Sequence, residues 1–200
     1  MIRTSTRQFL SVYLEEPATR LLTRLGITPN TLTLSGLVIA GASAYLLSYG
    51  QLAAGGIVLL LSAVFDVLDG SVARATSRAT RFGSLLDSVV DRVSEAVVLL
   101  GLLIFFLRHA SSSTSTSGVV LVYVALAGSM AVSYIRARSE GLGVECKVGM
   151  MTRTERVVVL GVGLIVGQWW PPAVRIAPGV IAALTAVTTI QRVLHVRRTL

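Results

Sequence analysis

The sequence predicts an all-α integral membrane protein: six transmembrane helices preceded by an N-terminal amphipathic interfacial helix. Three observations carry this expectation. Of 200 residues, 53% are hydrophobic and only 14% charged, with a mean hydropathy of +0.74, a balance that suits lipid-facing surface better than a soluble domain. A spanning helix needs about 20 mostly apolar residues, and six such runs follow one another with short links. The basic residues fall almost entirely on one side of the resulting topology. A single membrane domain, 1–200, uses the whole length, divided into the interfacial helix (1–27) and a six-helix bundle (28–200).

Taken in order, Leu10, Leu14, Ala18, Leu21 and Leu25 recur at helical spacing with Arg20 and Arg24 turned away from them, the pattern of a helix lying on a membrane surface. Pro17 divides this helix or begins its second half. Gly26 to Asn30 interrupts it, and Thr28 is placed to cap the first span with Pro29 at its first position. The first 25 residues contain neither an apolar signal core nor a small-residue cleavage site, so they are expected to be mature sequence. The spans are expected at 31–49, 55–75, 84–107, 118–138, 154–170 and 174–194. The run Ser111 to Ser117 reads as a solvent-exposed linker. Trp169-Trp170-Pro171-Pro172 fits an aromatic belt at a membrane interface.

With six spans and both termini on one side, every Lys and Arg except Arg108 and Arg175 lies on that side. It is therefore expected to be the cytoplasmic face of a cell membrane. Anionic headgroups and this topology account for most of the +8 charge, and no aromatic residues interleave with a soluble basic surface, so a nucleic-acid partner is not expected. The single cysteine, Cys146, can form no internal disulfide and reads as a bystander. His109 and His195 read as interface residues at helix ends.

The chemistry is concentrated elsewhere. Every aspartate, Asp66, Asp69, Asp87 and Asp91, lies within 26 positions. An ionised group at membrane depth costs at least ~2.5 kcal/mol, so it is retained where it faces a partner, a metal or water. Asp66 and Asp69 are spaced i,i+3 and Asp87 and Asp91 i,i+4, so each pair shares a helix face. Two such helices side by side would gather four carboxylates, which repel or take up protons unless a cation joins them. A proton relay or an Asp-Arg network is the structural alternative, and a cation-coupled transporter the functional one. Transporters of that kind show broken spans and an inverted repeat, and neither is visible here.

Read through, the segment is Asp66-Val67-Leu68-Asp69-Gly70-Ser71-Val72-Ala73-Arg74, then eight residues, then Gly83-Ser84-Leu85-Leu86-Asp87-Ser88-Val89-Val90-Asp91. This resembles the signature of the CDP-alcohol phosphotransferases, D-x-x-D-G-x-x-A-R followed by G-x-x-x-D-x-x-x-D, with every fixed position present. The resemblance implies a six-helix membrane fold with an amphipathic N-terminal helix, and usually a homodimer. It implies metal ligation by Asp66, Asp69, Asp87 and Asp91, with Asp91 also the general base. Contacts to CDP-diacylglycerol are implied at Asn30, Thr31, Leu32, Thr33, Asp69, Gly70, Ala73, Arg74 and Thr80. Oxygen-only ligands favour Mg²⁺ or Mn²⁺, and two ions bridged by carboxylates suit displacement at phosphorus. Gly70 admits close approach of a nucleotide to the helix backbone.

A second polar cluster is expected at the same depth: Ser133, Arg136 and Arg138 ending span four, Arg153 and Arg156 opening span five, and Arg192 in span six. So many guanidiniums suit a phosphate on the acceptor better than an uncharged alcohol. Within the family, S-Y-x-R/K-A-R followed by a glycine-containing loop and R-x-E-R is similar to prokaryotic phosphatidylinositol phosphate synthases and their archaeal relatives, which implies inositol phosphate as acceptor. Glycerol 3-phosphate or another alcohol is the alternative, although Thr28-Pro29-Asn30 lacks the Asn-x-Pro-Asn look of phosphatidylglycerophosphate synthases. Glu155 is placed to orient Arg153 or Arg156, and Glu95 to partner Arg92 or the metal site.

Overall fold

The computed structural model describes residues 28–75, 80–109 and 112–200. The expected interfacial helix at 1–27 lies outside the described residues, and for Asp69, Gly70, Ala73 and Arg74 the backbone alone is described. Six helices follow in order: α1 (Pro29–Ser48), α2 (Leu52–Ala75), α3 (Arg81–His109), α4 (Ser112–Gly141), α5 (Arg153–Gly167) and α6 (Ala173–Thr199). Pro29 opens α1 as expected, and the Thr28 hydroxyl accepts from Thr31 N–H at 3.3 Å. Pro29–Ser48, Ser115–Gly141 and Ala173–Thr199 are long and apolar enough to cross a membrane; α2 is apolar over Leu52–Asp66.

Two differences from the expected boundaries have a clear physical cause. The serine-threonine run is not a linker from Ser112 onwards but the first turns of α4. Packing overrides weak local propensity there: a Cβ on Gly118 would lie 2.3 Å from the Phe106 ring, so the end of α3 sits directly on the start of α4. Helix α5 stops at Gly167 rather than running to Trp170, and the N–H groups of Trp169 and Trp170 turn back to the Val166 carbonyl. At 1.5 Å per residue its 15 residues are shorter than a bilayer core.

Helix α1 packs against α2 and α3, α4 against α3 and α6, and α5 against α2 and α6. Leu47, Leu99, Leu102, Phe106, Leu164 and Ile181 lie in the buried core. In lipid there is little hydrophobic drive between helices, so close contact relies on small residues. A Cβ on Gly101 would lie 2.4 Å from the Ala44 carbonyl oxygen, and one on Gly128 would lie 2.2 Å from Thr185 Oγ1. These contacts set α1 on α3 and α4 on α6. The second half of α2, the first half of α3 and the start of α5 thereby meet at one end of the bundle.

Candidate active site

The first residue of α5 brings the aspartate helices together. Arg153 Nη1 donates to Asp66 Oδ2 of α2 at 2.6 Å and pairs with Asp91 Oδ1 of α3 at 2.8 Å. All three side chains are largely buried, between 15% and 25% exposed. Asp87 stands one turn before Asp91 on the same face of α3. Asp66 and Asp91 are thus joined through one guanidinium, and the backbone of Asp69 follows Asp66 by one turn of α2. Gathering carboxylate oxygens around a cation is what a hard divalent ion requires, so the donor set fits Mg²⁺ or Mn²⁺. Among the described residues no three His, Cys, Asp or Glu groups close on a single point.

A cavity of about 870 Å³ opens beside these carboxylates, within the range of small-molecule sites. Asp87 and Asp91 form part of one wall, and Arg136, Arg153, Arg156 and Arg192 line it with Ser133 nearby. The arginines expected from three helices therefore do face one space. They are not, however, equivalent or free. Arg156 is buried and forms a fork with Glu95 of α3, Nε to Oε1 at 2.6 Å and Nη2 to Oε2 at 2.8 Å. Arg192 is buried and donates to the Val148 carbonyl at 2.9 Å and the Val132 carbonyl at 2.6 Å, tying α6 to α4 and the following loop. Arg136 is half-exposed and holds Glu140 one turn along its own helix at 2.9 Å.

Three expectations need correction. Arg138 does not face the cavity: two residues from Arg136 it points to another face of α4, into a groove with Leu142, Val193 and Arg197. Leu32 and Thr33 turn into the bundle, 3% and 4% exposed, and the Thr33 hydroxyl donates to the Pro29 carbonyl; of Asn30 to Thr33, the first two stay at the surface. Glu155 accepts from the Thr152 N–H at 2.5 Å, half of a capping box that fixes the start of α5. Glu95 meets Arg156, whereas Arg92 donates to the Ser88 carbonyl.

Thr80 and Asn30 meet over Gly83. Thr80 Oγ1 accepts from Gly83 N–H at 2.9 Å, capping α3, and a Cβ on Gly83 would lie 3.1 Å from Thr80 Oγ1 and 3.3 Å from Asn30 Oδ1. Gly36 of α1 was not anticipated: a Cβ there would come within 3.1 Å of Asp66 Oδ1. The small residues Gly36, Ala40 and Ala44, four apart and buried, were the signal of a packing face.

A membrane-embedded helical bundle with paired carboxylates against an arginine-walled cavity defines an integral membrane enzyme that handles phosphate esters. The sequence profile of the CDP-alcohol phosphatidyltransferase family matches residues 26–191, and the chain belongs to that family; it is a transferase of phospholipid biosynthesis. It is 36% identical over 177 residues to archaetidylinositol phosphate synthase of Methanothermobacter thermautotrophicus, covering 86% of this chain and 85% of that one. It is 34% identical over 181 residues to phosphatidylinositol phosphate synthase of Mycobacterium tuberculosis, covering 88% and 82%. The crystal structure of that mycobacterial enzyme with CDP-DAG bound superposes with a TM-score of 0.84 over 92% of this chain and 93% of that one, at 34% identity. Its complex with manganese and citrate gives 0.85 over 92% and 88%, also at 34% identity. Family membership sets the transporter reading aside.

Proposed function

We propose that this protein moves the phosphatidyl group of CDP-diacylglycerol to inositol phosphate and releases CMP. The observation that carries the reading is the single cavity in which Asp87 and Asp91 face Arg136, Arg153, Arg156 and Arg192. An acceptor with its own phosphate satisfies such a wall, and an uncharged alcohol would not. Relatives named for inositol phosphate products support the same choice.

Asp91 takes the proton of the acceptor hydroxyl as that oxygen bonds to the phosphorus carrying diacylglycerol. The bond from this phosphorus to the bridging oxygen breaks, and CMP leaves with the electron pair. Asp66, Asp69, Asp87 and Asp91 would hold the divalent ions, two Mg²⁺ or Mn²⁺, which would supply stabilisation of charge on the attacking and leaving oxygens. Asn30, Thr31 and Thr80 at the cytoplasmic ends of α1 and α3, with Gly70 and Arg74 of α2, hold the nucleotide end. The whole chain acts as one domain in a prokaryotic cell membrane, with termini and site cytoplasmic, as a homodimer.

Arg136 is the acceptor contact most easily recruited, because an exposed pair with Glu140 is worth little. Arg136→Ala should raise the KM for inositol phosphate about tenfold or more, the loss of ~1.5 to 3 kcal/mol for a hydrogen bond to a charged group, with the KM for CDP-diacylglycerol little changed. Arg197→Ala removes the same charge outside the cavity and should leave both constants alone. Equal effects from the two substitutions would mean a general surface field, and the phosphate pocket would fall.

A further inference from the structure

Arg153 stands between two jobs. Its Nη1 is engaged by Asp66 and Asp91, two of the four carboxylates that suit a divalent ion, and the same side chain lines the acceptor cavity. Its Nε is buried and has no hydrogen-bond partner among the described residues. One edge of the guanidinium is therefore satisfied while another donor is not, at a cost a buried polar group normally avoids. Its backbone is also fixed, because the Thr152–Glu155 capping box pins the start of α5. A cation in the first turn of a helix is disfavoured by the helix dipole, so the charge of Arg153 depends on anions brought to it.

We propose that Arg153 is a positioning residue that couples the carboxylate centre to the acceptor pocket, competing with a divalent ion for Asp66 and Asp91 and, when displaced, donating to the phosphate of the acceptor. This rests on the inositol phosphate reading above and adds to it an order: the ion at the aspartates makes the guanidinium available, and the acceptor phosphate then holds it away from them. Coupling of this kind is reciprocal. An acceptor phosphate must tighten binding of the ion by the same factor by which the ion tightens binding of the phosphate. The device also discriminates among acceptors, because an alcohol without a phosphate cannot hold the displaced arginine.

The test is Mn²⁺ binding to the purified full chain, followed by electron paramagnetic resonance against protein-free blanks, with no addition, with inorganic phosphate and with inositol phosphate. For the wild type, saturating phosphate ligand should tighten Mn²⁺ binding about tenfold, within the usual span of coupling between sites. Arg153→Gln should bind Mn²⁺ more tightly than wild type without phosphate, and its coupling should fall to about twofold, the direct attraction between ion and phosphate. Arg136→Gln removes the same charge from the same cavity but touches no aspartate, so it should weaken phosphate binding and keep the coupling. Should Arg153→Gln fail to fold, Arg153→Lys replaces it: a point charge cannot present two edges, and its coupling should again be lower than wild type. Full coupling in either Arg153 variant, or weaker Mn²⁺ binding by Arg153→Gln, would overturn the proposal. If inositol phosphate bound no better than inorganic phosphate, the acceptor reading would fall, and the inorganic phosphate arm would still decide the role of Arg153.

Discussion

Asp91 and Arg156 look alike in the sequence, each a charged residue at membrane depth, yet their surroundings give them opposite roles. Asp91 faces a cavity and meets a guanidinium that lines it. Asp91→Asn keeps the shape of the side chain and removes the proposed base, so turnover should fall by at least ~10²-fold while binding of CDP-diacylglycerol persists; a variant keeping a tenth of wild-type turnover would remove Asp91 from that role. Arg156 is 3% exposed and locked to Glu95 in two hydrogen bonds. Breaking such a pair from one side leaves an uncompensated buried charge and costs about 3 to 5 kcal/mol. Arg156→Ala should therefore appear first as a large drop in the thermal midpoint of the detergent-solubilised protein, with Glu95→Ala similar and the double substitution less than additive. The aspartates were legible because i,i+3 and i,i+4 spacing fixes a helix face without tertiary knowledge. The partners of the arginines were not: which carboxylate a guanidinium meets depends on the rotation of α5 and α6 against α3 and α4, and spacing carries no information about that.

At the scale of the helices, the apolar runs and the Thr28-Pro29 start signal placed six elements, and all six form. Their ends were less legible, because the helix from Ser112 runs into the close approach of Gly118 to Phe106, and α5 ends where its chain turns back on Val166. Helix rotation is set by close approaches that composition does not reveal. Where α1 crosses α3, Gly101 leaves no room beside the Ala44 backbone, since a Cβ would lie 2.4 Å from that carbonyl oxygen. Gly101→Ala should force the two helices apart and destabilise the protein by about 1 to 3 kcal/mol, the usual cost of overpacking, lowering the thermal midpoint. Gly41→Ala on α1 meets nothing within 4 Å and should leave it unchanged. If both substitutions behaved alike, the crossing would not be held by that contact.

For the whole molecule, the bundle serves to converge α2, α3 and α5 on one polar end while the rest of each helix meets lipid or core. On the proposed mechanism the chemistry at that end depends on a cation among the aspartates, so removing divalent ions with a chelator should abolish turnover, and Mg²⁺ or Mn²⁺ should restore it without refolding. The most direct test of the central claim is release of CMP from CDP-diacylglycerol by the purified chain, with Mg²⁺ present and with inositol phosphate, glycerol 3-phosphate, free inositol and serine offered in turn. The arginine wall predicts that inositol phosphate gives the highest kcat/KM, that free inositol is turned over poorly, and that the lipid product retains the acceptor phosphate. Free inositol used as readily as its phosphate, or glycerol 3-phosphate preferred over both, would contradict it.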